Sequence, residues 1–395
     1  MNRAVFALAA ILCLLSVPSM TGLIQVVKAD GVTIYINADG SISPSTAPIY
    51  TADKIKYTLT GNVTTSTNGI VVERDNIVLD GAGYTVTGSG SADGILLETM
   101  RNVTIDNMVI TNTTDGILFD SSSNCNLSGN NVANNYNGIA LTSSSDNNTL
   151  SGNNVAKNYI GIFLGSSSNC ALSGNDVTAN SDDGIWFESS SNNMLSGNDV
   201  TNNPFGIEFS SSSNCALSGN DVTANSTFGI YLDSSSNCTF AGNSVTANNE
   251  DGIFLGSSSN CVLSGNNVTA NGTYGIVLSD SSNNFIFHND FVNNTIQVYT
   301  DGLANVWDNG SSGNYWSDYV TKYPNATQVD SSGVWNTPYI IDTNNTDHYP
   351  LMVPYAVVPE FPSIQATMFF ILLTLLTVII YKKKGVRSAR TNRHH

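Results

Sequence analysis

Positive charge is scarce in this 395-residue chain, which has 14 Lys and Arg against 31 Asp and Glu and a formal net charge of −17. Eight of the 14 lie near the two ends, so residues 30–358 hold six basic residues against 30 acidic ones, a balance of about −24. A surface of that sign repels phosphate backbones, which excludes nucleic acid as a partner. It suits calcium, a cationic layer, or plain solubility in salt. No bound cofactor is called for. Lys157 is the only basic residue between Gly116 and Gly310, so a lyase that neutralises a uronate and takes a proton is disfavoured. Histidine is as rare. Only His288 and His348 fall between the ends, and no His or Met cluster offers a metal centre. Helical periodicity is missing too, because Gly, Ser and Asn interrupt the apolar positions too often for a helix.

A repeat of 22 or 23 residues fills this space. Its opening Gly-Ile pair returns at Gly94, Gly116, Gly138, Gly161, Gly184, Gly206, Gly229, Gly252 and Gly275. A Ser-Gly-Asn marker keeps the same beat from Gly129 to Gly265. A fixed period in this range specifies a solenoid, since one unit cannot bury its apolar face alone. After each glycine the pattern runs apolar, variable, apolar: Ile162, Phe163, Leu164, then Ile185, Trp186, Phe187. Alternation of period two is a strand with one face buried. Pairs such as Leu172 and Val177 mark further short strands in each unit. Leucine-rich repeats have similar lengths, but their leucine spacing and helical half are absent. The reading is an all-β, right-handed parallel β-helix of about ten rungs over residues 69–289. Its nine repeat intervals from Gly69 make a rod of about 45 Å at about 4.8 Å per rung.

Three asparagine columns are expected to stack from rung to rung and to satisfy turn backbone. One follows the serine run (Asn124, Asn169, Asn192, Asn214, Asn237, Asn260, Asn283). One closes Ser-Gly-Asn (Asn130 to Asn266). One lies three past the valine (Asn135 to Asn271). Five cysteines, Cys125, Cys170, Cys215, Cys238 and Cys261, share a single repeat position and read as buried apolar fillers rather than disulfides.

The ends of a solenoid need covers. Residues 30–68 read as an N-terminal cap and residues 290–354 as a C-terminal cap, with Trp307, Trp316 and Trp335 over the last rung. Residues 1–29 read as a secretory signal. Residues 364–381 carry no charge and have the length of a membrane span, and the basic stretch 382–395 follows as a cytoplasmic tail. An exported chain makes sequons relevant. Asn62, Asn267, Asn309 and Asn325 are the glycosylation candidates. Asn225, Asn237 and Asn271 also match but are discounted as ladder residues.

Near the start the chain carries IVVERDNIVLDGAGYTVTG (70–88) and NVTIDNMVI (102–110), and near the end GNYWSDY (313–319), PYIID (338–342) and DHYPLM (347–352). These runs give residues 31–354 a resemblance to exported archaeal proteins with right-handed β-helix repeats, the group that includes the NosD proteins. The resemblance implies a β-helix and, for NosD, an association with copper maturation, which the shortage of His and Met does not carry to this chain. Pro359, Glu360 and Phe361 in the linker 355–363, before the apolar segment, resemble an archaeal PEF-type sorting signal. That resemblance implies processing by an archaeosortase, with a plain membrane anchor as the alternative.

Two chemistries compete for the outer face. Phe163, Trp186, Tyr231 and Phe254 occupy the outward position after the repeat Ile. Tyr159, Phe205 and Phe228 stand before the glycine. Such an apolar stripe suits stacking on a cell-surface polysaccharide or surface layer, while the bland alternative is that the rings pack on one another. The enzymatic alternative is a glycoside hydrolase drawing on Asp183, Glu188 and Glu208 as its carboxylates. A purely structural envelope rod is the third reading.

Overall fold

The computed structural model describes residues 31–355. These residues wind through about eleven turns of a right-handed parallel β-helix and carry almost no α-helix. One sheet has 13 strands and two have 12 each, and every turn gives one strand to each sheet. Strands Ile160–Gly165, Ala171–Ser173 and Asp176–Thr178 make one turn. Asp183–Glu188, Met194–Ser196 and Asp199–Thr201 lie directly on them in parallel.

The register puts like on like. Ile162, Ile185, Ile207, Ile230, Ile253 and Ile276 form one internal column, each at most 1% exposed. Leucines of the second sheet and valines of the third fill the rest of the core. The repeat glycine is needed because neighbouring turns approach closely at that point. A Cβ on Gly184 would lie 2.6 Å from the Gly206 carbonyl oxygen and 2.7 Å from Val200 Cγ1.

From Thr99 to Asn293 each turn of the helix has four corners, and each corner is one residue in the left-handed region except at Ser143 and Ser144, which share one. In one turn these are Ser166 (φ 53°), Asn169 (φ 59°), Gly174 (φ 59°) and Ala179 (φ 55°). The residue after each corner points inward, namely Ser167, Cys170, Asn175 and Asn180, all buried. This sorts the three asparagine columns differently from the expectation. The column from Asn124 to Asn283 is the corner itself, and its side chains are exposed. Asparagine tolerates φ > 0 better than most side chains, so the backbone selects it there. Only the other two columns are internal ladders. In them Asn153 N and Nδ2 both donate to Asn175 Oδ1, at 3.1 and 3.0 Å, and Nδ2 also donates to the Leu127 carbonyl. Serine supplies a third ladder, for example Ser167 N to Ser190 Oγ at 2.7 Å. The cysteine column is the fourth, and where Asn148, Asn193 and Asn284 replace cysteine they take the backbone N–H of the preceding turn. The five cysteines of this column are free and buried.

The extra turn comes from residues 31–68. Strands Ile34–Ile36, Lys56–Leu59 and Val63–Thr64 continue the three sheets in parallel, with antiparallel pieces Ile42–Ser43 and Ile49–Tyr50 at the edge. At the other end Trp307 and Trp316 are each 1% exposed and lie over the last turn. Trp316 stacks between Phe291 and Tyr339 and donates from Nε1 to Asp347 Oδ2 at 2.9 Å, while Trp307 Nε1 donates to Asn345. Trp335 is half-buried and stacks on Tyr319. Among the described residues no helix is long and apolar enough to cross a membrane. The signal 1–29, the motif Pro359, Glu360, Phe361, the apolar segment 364–381 and the basic tail lie outside the described residues.

Candidate functional site

The outward position of the first sheet runs Ala140, Phe163, Trp186, Glu208, Tyr231, Phe254, Val277 in register. The rings along it touch one another. Phe163 and Trp186 have centroids 4.8 Å apart, and Tyr231 stacks on Phe254 at 5.0 Å with an 18° interplanar angle. Phe205 and Phe228 join the second group, 5.5 Å apart, with Phe228 5.2 Å from Tyr231. Tyr159 belongs elsewhere. It stands two residues before its glycine, not one, and stacks on Tyr136 at 4.9 Å. The residues read as one row are therefore three groups in three columns. Tyr159 is exposed and the other six rings are half-buried.

Glu208 breaks the row. It occupies the rung between Trp186 and Tyr231, which leaves those two rings about 9.6 Å apart along the axis, two rungs at about 4.8 Å each. Asp183 lies diagonally opposite, on the preceding turn, and is only 5% exposed. Its carboxyl abuts that of Glu208, a contact that becomes a hydrogen bond when one of the two is protonated. Burial first, then the charges of Glu208 and Asp182, push Asp183 up to about 8. Asp183 Oδ1 and Trp186 Nε1 are both buried without a hydrogen-bond partner. Glu208 Oε1 accepts from Ser210 Oγ at 2.8 Å. The neighbouring Asp182 carboxylate holds the Tyr159 phenol above its usual range. Glu188 is exposed at the far end of its strand, in register with Ser210, and does not join the pair.

Asp183 has companions that the repeat pattern did not single out. Asp115 and Asp251 occupy the same position, directly before the glycine, and burial pushes each up to about 6. Aligning the residue before each glycine would have found them. Asn62, Asn267, Asn309 and Asn325 are all exposed. So is Asn237, a corner residue at φ 58° rather than the ladder residue it was taken for, whereas Asn225 and Asn271 are buried in the ladder.

The family model for the periplasmic copper-binding protein NosD matches residues 19–214 and 170–321. The chain belongs to the NosD family. Membership in a family described as periplasmic implies export. Among solved structures the fold is similar to the A-module of the Azotobacter vinelandii mannuronan C-5 epimerase AlgE6. Identity is 17%, covering 72% of this chain and 88% of that module, with a TM-score of 0.55. The A-module of AlgE4 from the same organism is also 17% identical, over 63% of this chain and 78% of the module, at 0.49. No curated protein matches the chain.

The NosD family description implies copper, and the donors here do not fit it. His288 Nε2 pairs with Ser312 Oγ at 2.6 Å and its ring stacks on Tyr355. His348 Nδ1 pairs with Asp308 at 2.9 Å. Burial pushes the Cys125 and Cys170 thiols up to about 11, which disfavours the thiolate a metal needs. No set of three or more His, Cys, Asp or Glu converges among the described residues.

Proposed function

We propose that the rod binds polysaccharide along the outer face of its first sheet, at the surface of the exporting cell. The observation that carries this reading is the break at Glu208. Inside the row each ring covers its neighbour, so its face is spent on packing. At the break the rings of Trp186 and Tyr231 flank a position with no ring, beside buried polar atoms that lack protein partners. Aromatic faces beside hydrogen-bonding groups are what sugar rings require, and half-buried apolar surface of this kind marks contact sites. The contact between Asp183 and Glu208 supports binding over hydrolysis. Glycoside hydrolases separate their carboxyls by about 5 Å or more to admit the substrate. The apolar segment 364–381 and its basic flank support an anchor in the cell membrane, with the Pro359, Glu360, Phe361 motif as an alternative route through an archaeosortase in an archaeal cell.

The test is a glycan array probed with the purified chain and with Trp186→Ala. Binding of a glycan family by the parent, weakened about tenfold or more in Trp186→Ala, is the expected result. A parent that binds nothing on the array refutes the reading and leaves a structural rod.

A further inference from the structure

The break at Glu208 also has a charge preference. We propose that Asp183 and Glu208 form a recognition site for a primary ammonium group, so that the glycan bound there carries free amino sugars. This rests on the polysaccharide-binding reading and narrows it to a substrate class.

The argument starts from the oxygens. Two carboxyls in contact can hold one negative charge and a proton, or two negative charges if a cation lies against them. Asp183 is 5% exposed and its Oδ1 has no partner, so one acceptor is already desolvated and waiting. The groups facing the pair are Asp182 beside Asp183, Tyr159 on the preceding turn, and Ser210 and Tyr231 around Glu208. None is cationic, and the nearest basic residue in sequence, Lys157, lies more than one full turn before Asp183. Among the described residues the pair therefore has no counter-ion for the second charge.

A metal ion is a poor match. Hard cations take six to eight oxygen ligands, and no third acidic or histidine donor joins the pair. An ammonium fits better. It offers three donors and no acceptor, against carboxylate oxygens that only accept. The flanking indole and phenol rings attract a cation through their faces while their apolar bodies stack on the sugar ring. An N-acetylated sugar would bring an amide in place of the charge and leave the pair holding its proton. The strongly acidic rod adds long-range attraction for a cationic glycan.

The experiment compares a β-linked glucosamine hexamer with its fully N-acetylated counterpart, at pH 6 and physiological salt. Binding to the purified full-length chain is read by calorimetry and tryptophan fluorescence. The expected result is at least tenfold tighter binding of the free-amine hexamer. Glu208→Gln and Asp183→Asn should each bring that ratio close to one. Asp221→Asn makes the same charge change on an exposed residue of the third sheet and should keep the ratio. At pH 6, where the amines already carry their protons, the free-amine complex should release a proton from the carboxyl pair, seen as a binding enthalpy that varies with buffer ionisation. Equal affinity for the two hexamers overturns the ammonium site while sparing the polysaccharide reading. Loss of the preference in Asp221→Asn as large as in Glu208→Gln overturns it as well, by showing diffuse attraction. Binding of neither hexamer, together with an empty glycan array, removes both.

Discussion

Replacing Asn198 by alanine tests the internal ladder directly. Asn198 Oδ1 accepts from Asn175 N at 3.1 Å and from Asn175 Nδ2 at 2.9 Å. Its own Nδ2 donates to the Leu172 carbonyl at 3.0 Å and to Asn220 Oδ1 at 2.9 Å. Asn198 is 1% exposed, so water does not replace these partners in the intact helix. Alanine leaves the Asn175 N–H and one of its two Nδ2 hydrogens unpaired, while the other keeps its bond to the Leu150 carbonyl. Each unpaired buried group costs about 1–3 kcal/mol, so the variant should lose about 2–6 kcal/mol. Asn169→Gly is the control. Asn169 is an exposed corner at φ 59°, and glycine adopts that backbone freely. Its effect should stay within about 1 kcal/mol. The assay is equilibrium urea unfolding followed by far-UV circular dichroism. If the two variants unfold at the same urea concentration, the distinction between ladder and corner asparagines is wrong.

Two further outcomes can be checked on the same protein. Unfolded without reductant, the rod should offer five reactive thiols from Cys125, Cys170, Cys215, Cys238 and Cys261, apart from Cys13 in residues 1–29, whereas the folded rod should offer few; one or none after unfolding would mean disulfides between turns. Asp183 makes stability depend on pH. Its folded value of about 8 lies above the ordinary carboxyl value of 3.8, so the folded state holds a proton that the unfolded state releases between those limits. The contribution is complete below about pH 4 and is lost as pH rises towards about 8, and Asp183→Asn should flatten that part of the stability profile. An unchanged slope would mean that Asp183 titrates as an ordinary exposed carboxylate.

The sequence alone determined the architecture. Ile162, Ile185, Ile207 and their successors recur at nearly constant spacing, and a parallel stack is the arrangement that buries a whole column of identical side chains at once. Period-two alternation then assigned the inner and outer faces without reference to any partner. The tertiary structure decided what the local pattern leaves open. Asn169 and Asn175 are the same residue type six positions apart, yet one is an exposed corner and the other an internal ladder member. The choice depends on which residue takes the left-handed backbone, because the next side chain is then turned inward. The aromatic residues looked like one row until the backbone placed Tyr159 and Phe205 in different columns, and until stacking within each group showed that most ring faces are already covered. Asp183 and Glu208 lie 25 residues apart, more than one repeat, so no motif joins them. Only the lateral packing of successive turns brings a buried carboxyl against its partner, since contact across a parallel sheet follows register rather than distance along the chain.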